Sequence, residues 1–287
     1  ANVINQFHRM DPILANRFDG FAEKMPTFGV RFFAPNAKKL DIPFGRPAHG
    51  DAPGYVIKRI DFDHFWFKQI EEQKNLTILL EEKLQLTTIK TDSVEIETAH
   101  FRINSKLIVG ADGAQSAVSR LLAKSKLDKE SNCGSLRQYY KGVEGISEQN
   151  YIELHFYQDI LPGYFWIFPL PNGQANVGIG MLSSEISKRK IDLKAKLEEI
   201  ISKHPKVKDR FKNASPLEKP RGFGIPLGKK KKSISGERYI LLGDAANLVD
   251  PFTGEGIGNA IRSGRLAAKH ILDAFQLKKF DSKFNYN

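Results

Sequence analysis

The sequence predicts an α/β fold into which an antiparallel-sheet domain is inserted. Strand–turn–helix units at 61–122 and 236–275 have α/β character, whereas segments 27–60 and 136–232 read as short strands. With 287 residues, 41% of them hydrophobic, the chain is long enough for a large core and for more than one domain. The predicted division gives the α/β domain residues 1–27, 58–135 and 236–287, and the inserted domain residues 28–57 and 136–235.

Hydrophobic periodicity places the elements of the first half of the chain. Asp61–Lys74 reads as a helix with Asp61 as its N-cap. Its apolar residues share one face: Phe62, Phe65, Trp66 and Ile70. The predicted strands are, in order, Phe28 to Phe32, Leu40 to Phe44, Tyr55 to Ile57, Leu76 to Leu80, Leu86 to Ile89, Val94 to Ile96, Phe101 to Ile103 and Lys106 to Val109.

The second half alternates in the same way between helical and strand patterns. A helix begins at Val118 to Leu122, and Asp192 to His204 is amphipathic. Ile257 to Phe275 reads as a long helix. The predicted strands are Tyr151 to Phe156, Tyr164 to Phe168, Ala175 to Gly180 and Tyr239 to Leu242.

Composition and charge exclude several classes of protein. A mean hydropathy of −0.38 and the lack of a long apolar stretch exclude a disordered tail and an integral membrane protein. The single cysteine, Cys133, excludes a disulfide framework and a cysteine zinc cluster, and we treat it as a bystander. We therefore expect a reducing, cytoplasmic location and no metal site.

The net charge of +11 is concentrated in one region, because residues 185–232 hold 16 basic and six acidic residues. This region ends in the run Lys229 to Lys232. A solvated helix face followed by a solvated hairpin tip explains the charge most simply. The alternative is attraction to an anionic partner, either a phosphate-bearing substrate or a membrane surface. Nucleic acid is disfavoured, because no nucleic-acid-binding motif accompanies the charge.

The strongest functional signal is a buried strand that ends at Gly243-Asp244 and leads into a glycine-rich loop. Asp244 sits at the carboxyl edge of the sheet, where open α/β folds bind ligands, and its carboxylate can accept hydrogen bonds from sugar hydroxyls. Pro251 stops an early helix. The residues that then open the final helix let a ligand approach the backbone, and the helix N-terminus favours an anion: Gly254, Gly256, Ile257 and Gly258.

A second unit of the same kind runs from Lys106 through Gly110-Ala-Asp-Gly. Asp112-Gly113 alone would be a common turn. Together with Ser116 and the apolar residues that follow, it predicts a loop at the edge of a cofactor site.

These two units, in this order, resemble the flavoprotein family of para-hydroxybenzoate hydroxylase and the geranylgeranyl reductases, roughly from Phe28 to Leu272. The resemblance implies that the α/β domain is a Rossmann-like FAD-binding domain and that the inserted domain binds substrate. It implies that Asp112 and Gly113 lie near the FAD pyrophosphate, and that Gly243 and Asp244 bind the ribityl chain. Arg59 matches the family arginine that approaches the flavin.

A third stretch resembles the aromatic–x–Trp–x–Phe–Pro signature of the geranylgeranyl reductases. Tyr164, Trp166 and Phe168 alternate on a strand, so their side chains share one face and could form an apolar wall for an isoprenoid chain. The alternative is ordinary core packing. The spacing to Gly178 and Gly180 favours a substrate-binding wall.

Two departures from the family pattern affect these expectations. Ser119 stands where the pattern has an arginine, with Arg120 one residue later, which weakens any nicotinamide docking there. No G-x-G-x-x-G follows an opening strand, so we expect a partial chain that lacks the first βαβ unit and the C-terminal helical region. Its FAD affinity should then be poor, because the pyrophosphate cradle is missing.

The resemblance implies an FAD-dependent reductase of isoprenoid double bonds in a lipid or pigment precursor. Its electron donor would be reduced nicotinamide or ferredoxin, with peripheral membrane contact as a further possibility. No residue is predicted as the acid, and His155 is taken as structural. The alternatives are an FAD-dependent aromatic monooxygenase or halogenase and a non-catalytic lipid-binding remnant. A plain NAD-linked dehydrogenase is disfavoured, because the Gly243-Asp244 unit has no role there.

Overall fold

The computed structural model describes residues 2–36, 38–46, 51–126, 128–229 and 233–280. The helices in chain order are α1 (Asn2–Met10), α2 (Pro12–Asp19), α3 (Arg59–Glu71), α4 (Ala117–Leu121), α5 (Ser183–Arg189), α6 (Leu193–Lys203) and α7 (Ile257–Leu277). The strands are β1 (Lys24–Thr27), β2 (Gly29–Phe33), β3 (Lys39–Pro43), β4 (Gly54–Ile57), β5 (Leu86–Ile89), β6 (Val94–Glu97), β7 (Arg102–Ser105), β8 (Ile108–Gly110), β9 (Asn132–Lys141), β10 (Ile152–His155), β11 (Gly163–Leu170), β12 (Gln174–Leu182), β13 (Ser215–Pro216), β14 (Arg221–Pro226), β15 (Ser235–Gly236) and β16 (Tyr239–Leu241).

The chain forms two compact units, Ala1–Leu76 with Cys133–Gly224, and Thr77–Asn132 with Ile225–Asn287. We call the first the sheet unit and the second the strand–helix unit. Packing alone defines these units. Which residues form the FAD-binding domain and which the substrate domain therefore stays a prediction.

The sheet unit is built on a large sheet with the strand order β13-β9-β12-β11-β10-β2-β3, and β14 pairs with β9. The pairs from β9 to β10 are antiparallel, whereas β10 and β2 are parallel. Because side chains alternate along each strand, every second residue contributes to the same face of this sheet.

One face of the large sheet forms the core of the sheet unit, and we call it the core face. Phe165 and Ile167 of β11 are fully buried there. They pack with Leu197 and Ile200 of α6 in one apolar cluster. The helix begins where Asp192 accepts hydrogen bonds from the N–H groups of Lys194 (2.8 Å) and Ala195 (3.1 Å), and its apolar stripe covers the sheet.

The strand–helix unit combines a meander, β5-β6-β7, with a sheet of order β15-β16-β8. Strands β16 and β8 run parallel. Helix α7 packs Ala267 and Ala274 against Ile240 of β16, and small residues allow this close approach. Helix α4 packs its Val118 against other apolar side chains of this sheet, among them Leu241.

Most predicted elements are confirmed, with boundaries that differ by a few residues. The predicted strand Leu76 to Leu80 is wrong, since residues 76–80 form no strand and Leu80 is 67% exposed. A β-strand needs hydrogen-bond partners from a neighbour, and no described strand pairs with this apolar run.

The predicted N-cap Asp61 is also wrong. The first helical residue of α3 is Arg59, and Lys58 precedes it in extended conformation. The Lys58 carbonyl accepts a hydrogen bond from the Phe62 N–H at 3.0 Å, so the helix starts two residues earlier. Asp61 instead lies in the first turn, where its charge complements the helix dipole.

Candidate functional site

In the strand–helix unit, the two predicted cofactor motifs follow neighbouring strands. Strands β8 and β16 pair in parallel, with Gly110 opposite Leu241, and the Leu242 N–H donates to the Gly110 carbonyl at 2.9 Å. Asp112 and Asp244 follow the carboxyl ends of these strands. The structure thus brings both motifs to one sheet edge, the position at which open α/β sheets bind ligands.

The turn that carries Asp244 is tied to α7. Residues Gly243–Ala246 form a single 3-10 turn, which Gly243 enters with a φ of +52°. The Gly243 N–H donates to Ser263 Oγ at 3.1 Å, and Asn259 Nδ2 donates to the Leu248 carbonyl at 2.8 Å. Both Ser263 and Asn259 belong to α7, so the helix fixes the conformation of this turn.

The glycine-rich loop passes close to the Asp244 side chain. A Cβ at Gly256 would lie 3.4 Å from Asp244 Oδ1 and 3.0 Å from Val249 Cγ2. A side chain at position 256 would therefore crowd the carboxylate. Gly254 has a φ of +72°, a conformation that glycine adopts readily.

Two acidic residues that the sequence analysis did not select organise this loop. Asp250 precedes Pro251, and its Oδ1 accepts hydrogen bonds from the Thr253 N–H and hydroxyl, each at 2.7 Å. These bonds hold the pKa of Asp250 below its ordinary value. Glu255 Oε1 accepts from the Gly258 N–H at 2.7 Å, beside Ile257, the first residue of α7. An acidic residue just before a glycine-opened helix is the signal that would have identified this cap.

Two side chains of the Asp112 loop cap the N-terminus of α4. Asp112 Oδ2 accepts from the Ala117 N–H at 2.6 Å, and Ser116 Oγ accepts from the Ser119 N–H at 2.9 Å. Both side chains thereby satisfy the first amides of α4. Gly113 differs from them, because it has a φ of +76° and no atom within 4 Å of the place where a Cβ would stand.

Arg59 lies in the sheet unit, at the start of α3. Its guanidinium pairs with Asp63, with 3.1 Å between Nη2 and Oδ1, and both side chains are more than half exposed. Its backbone N–H donates to the hydroxyl of Tyr139 at 3.2 Å. The arginine therefore begins a helix beside strand β9 of the large sheet.

The predicted apolar wall lies on the face of the large sheet opposite the core face, and we call it the row face. The rings of Tyr164 and Trp166 are 6.0 Å apart, as are those of Trp166 and Phe168. The series continues to Phe156, 5.9 Å from Tyr164, and to Phe32, 6.2 Å from Phe156. We call these five residues the aromatic row. The sequence analysis found three of them, and the ring contacts add Phe32 and Phe156.

Gly178 and Gly180 make room for the aromatic row. In the β11–β12 pairing, Gly178 lies opposite Trp166 and Gly180 opposite Tyr164. A Cβ at Gly178 would stand 2.2 Å from Trp166 Cζ2, so the indole fills the space above this glycine. Trp166 Nε1 donates to Asn176 Oδ1 at 3.1 Å, which fixes the ring in place. Burial raises the pKa of Tyr164 to about 12.

The core face holds a buried polar network instead. Glu153 is 1% exposed and pairs with Arg210, with 2.5 Å between Oε2 and Nη1, and with His155 Nε2 at 3.1 Å. Burial raises the pKa of Glu153, but the hydrogen bonds from His155 and Arg210 outweigh it and leave that pKa lowered. Burial also lowers the pKa of His155. His155 is thus buried within this network, which is consistent with the structural role that the sequence predicts.

The basic region divides between structure and solvent. Helix α6 and Arg210 belong to the core face, and Lys196 of α6 pairs with Asp159 (2.9 Å) and Glu199 (2.6 Å). The basic residues of α6 therefore lie across the sheet from the aromatic row. Whether the basic region attracts an anionic partner stays a prediction. Lys230–Lys232 lie outside the described residues.

The described ranges contain no group of three or more histidine, cysteine, aspartate or glutamate side chains arranged to hold a metal ion. Nor does any helix within them have the length and apolar character required to cross a bilayer.

The family model and the relatives that match this chain have names that agree with one another. Residues 133–222 match the family model of the geranylgeranyl reductase catalytic domain. The chain is 30% identical to the digeranylgeranylglycerophospholipid reductase of Methanococcus vannielii over 264 residues, which is 89% of this chain and 63% of that protein. It is 29% identical to the enzyme of the same name from Methanosarcina acetivorans, over 86% of this chain and 59% of that protein. The chain thus spans less than two thirds of the length of these relatives.

Solved structures share the fold. A geranylgeranyl bacteriochlorophyll reductase-like protein from Thermoplasma acidophilum superposes with a TM-score of 0.77 at 25% identity, over 94% of this chain and 68% of that one. The flavin-dependent halogenase CmlS superposes with a TM-score of 0.78 at 18% identity, over 99% and 52%. The predicted α/β flavoprotein fold with an antiparallel-sheet insertion is thereby confirmed. Over the span that it covers, the chain is similar to members of the geranylgeranyl reductase family.

Proposed function

We propose that this chain is part of an FAD-dependent reductase that saturates carbon–carbon double bonds of an isoprenoid lipid. The observation that carries the proposal is the aromatic row with its glycines, which lies largely within the matched catalytic-domain residues 133–222. A half-buried series of rings on a regular sheet can hold a prenyl chain by apolar contact and keep water away from it. Alkene reduction needs this environment, since an alkene presents no charged group for recognition.

The sheet edge of the strand–helix unit suits FAD. Asp244 supplies a carboxylate acceptor for the hydroxyls of the ribityl chain, and Gly113 and Gly256 leave the backbone approachable. The N-terminus of α7 favours an anionic group, which would compete with Glu255 for the Gly258 amide. When bound in its reduced form, FAD supplies a hydride to one alkene carbon while a proton reaches the other.

The proposed roles of the chain follow from these placements. Asp244 and the glycine-rich loop bind and orient the cofactor, whereas Tyr164, Trp166 and Phe168 bind the substrate chain. Reduced nicotinamide or ferredoxin as the electron donor, and a peripheral contact with the membrane, remain part of the proposal. The names of the relatives support an isoprenoid lipid as the substrate class.

The test compares Asp244→Ala with Asp273→Ala in the full-length protein, because Asp273 is an exposed residue of α7. We expect the wild type and Asp273→Ala to purify with flavin absorbance, and Asp244→Ala to lose most of it. Under anaerobic conditions with a chemical reductant, the flavin-bound proteins should add two hydrogens per double bond to geranylgeranyl phosphate, as measured by mass spectrometry.

The same experiment separates the alternatives. Stoichiometric oxygen consumption with a hydroxylated or halogenated product, and no anaerobic reduction, would select a monooxygenase or halogenase. A full-length protein without flavin that still binds the prenyl chain would select a non-catalytic lipid-binding protein. Either result overturns the proposed function.

A further inference from the structure

A cavity of about 560 Å³ opens at the edge of the large sheet, between β2, β3 and the segment after β10. This volume is in the range of small-molecule sites. Its apolar lining comes from six residues: Phe32, Ala34, Pro35, Leu40, Phe156 and Leu161. Lys38 and Lys39 complete the lining, so the cavity combines an apolar body with a cationic rim.

The cavity is continuous with the aromatic row, because Phe32 and Phe156 belong to both. The strand register also shows that the cavity adjoins the aromatic row. Trp166 lies opposite Leu154, Leu154 opposite Phe32, and Phe32 opposite Leu40. All four side chains therefore project from the row face, over three strand spacings of together about 14 Å. An apolar path thus runs from the predicted wall to the cavity.

The two lysines of the rim differ in their partners. Lys39 Nζ is 3.4 Å from Asp41 Oδ2, and Asp41 is already held by Arg31 at 2.7 Å. Among the described residues, Lys38 makes no ion pair within 4.0 Å. Lys38 is exposed and lines the cavity, so its ammonium is available to an anion that enters there.

We propose that this cavity binds the phosphate end of a prenyl phosphate whose chain lies along the aromatic row, with Lys38 as the phosphate contact. The inference rests on the proposed function and goes further, since it assigns the orientation of the substrate. The phosphate lies at the β2–β3 edge, and the double bonds lie beside Tyr164 and Trp166. A lipid of this kind matches the apolar body and the cationic rim together.

The test measures binding of geranylgeranyl phosphate and of geranylgeraniol to the full-length protein by isothermal titration calorimetry. Lys38→Gln should weaken binding of the phosphate about tenfold, which corresponds to about 1.4 kcal/mol, and leave binding of the alcohol unchanged. The matched control is Lys203→Gln, an exposed position at the end of α6 on the core face, which should bind both compounds like the wild type. Ala34→Phe, which fills the cavity, should weaken binding of both compounds.

Three outcomes would overturn the inference. In the first, Lys38→Gln and Ala34→Phe bind both compounds like the wild type while the wild type still reduces geranylgeranyl phosphate, and the proposed function then survives alone. In the second, the wild type binds neither compound, and the proposed function falls as well. In the third, Lys38→Gln reduces co-sedimentation with phosphatidylglycerol vesicles but not the affinity for the phosphate, and the surface is then a membrane contact. If Ala34→Phe does not fold, Lys38→Gln decides, because Lys38 is exposed.

Discussion

The two faces of the large sheet use alternate residues of the same strands and are completed in different ways. On the core face, Phe165 and Ile167 are fully buried beneath α6, and both carboxylate oxygens of the buried Glu153 accept hydrogen bonds from Arg210. On the row face, Tyr164 and Trp166 stay half-buried above glycines. A face whose side chains are packed and hydrogen-bonded within the chain contributes stability. A face that keeps an ordered apolar surface is suited to binding.

The largest expected effect on stability comes from a substitution on the core face. Arg210→Gln leaves Glu153 as a buried carboxylate without its cation, which should lower the free energy of unfolding by about 3–5 kcal/mol, measured by urea denaturation. In the control, Arg221→Gln removes an exposed arginine from its ion pair with Glu218, which keeps its pair with Arg137, and should cost less than about 1 kcal/mol. Equal losses in the two variants would contradict the distinction between a buried and an exposed pair.

A second substitution breaks the fit between a ring and a glycine on the row face. Gly178→Ala would place a Cβ 2.2 Å from Trp166 and 2.5 Å from the Leu136 carbonyl, so it should cost at least about 1–3 kcal/mol, measured by thermal denaturation. Gly180→Ala is the matched control, because its Cβ would have no neighbour closer than 3.6 Å. We expect it to change stability by less than about 0.5 kcal/mol. A similar loss in both would show that Trp166 does not occupy this position.

Low pH should lower the stability of the protein, because His155 is buried on the core face. Its charged neighbours are Glu153, Arg210 and His204, with the Tyr157 hydroxyl 3.4 Å from Nδ1. Since burial lowers its pKa, the unfolded chain takes up a proton below about pH 6.5 while the folded chain does not. Stability should therefore fall as the pH falls from 7 towards 5, and Glu153 adds to this loss at lower pH.

The comparison of urea curves at pH 7 and pH 5 measures this effect. His155→Gln should show a smaller drop than the wild type over this range. An equal drop would assign the acid sensitivity to other groups.

The smallest expected effect concerns the helix that covers the core face. Asp192→Ala removes the acceptor of the first amides of α6 and should cost about 1 kcal/mol, measured by chemical denaturation. Glu198→Ala, at an exposed position of the same helix, should lie within about 0.5 kcal/mol of the wild type. If prenyl binding also changed in Asp192→Ala, the two faces would be coupled.

The sequence predicts the regular parts of this molecule well. Alternation identified β11 and β12, and with them Tyr164, Trp166 and their glycines. It could not identify Leu154 or Phe32 as their neighbours, because strand order and register depend on contacts distant in sequence. For the same reason it could not tell that α6, the helix of the basic region, covers the core face. The Leu76 to Leu80 run shows that apolar character alone does not make a strand.

The cofactor motifs were predicted less completely than the sheet. Their positions at one sheet edge follow from the rule for strand ends in α/β folds, but Asp250 and Glu255 were missed. Both act through local hydrogen bonds in a loop, which hydrophobic periodicity does not describe. The capping of α4 by Asp112 and Ser116 was missed for the same reason.

The position of Trp166 above Gly178 provides a built-in optical probe. The chain has two tryptophans, and the other, Trp66, lies in α3 among phenylalanine rings. A Trp66→Phe variant would therefore emit from the aromatic row alone. Its emission maximum and quenching would report directly on whether a lipid chain has entered.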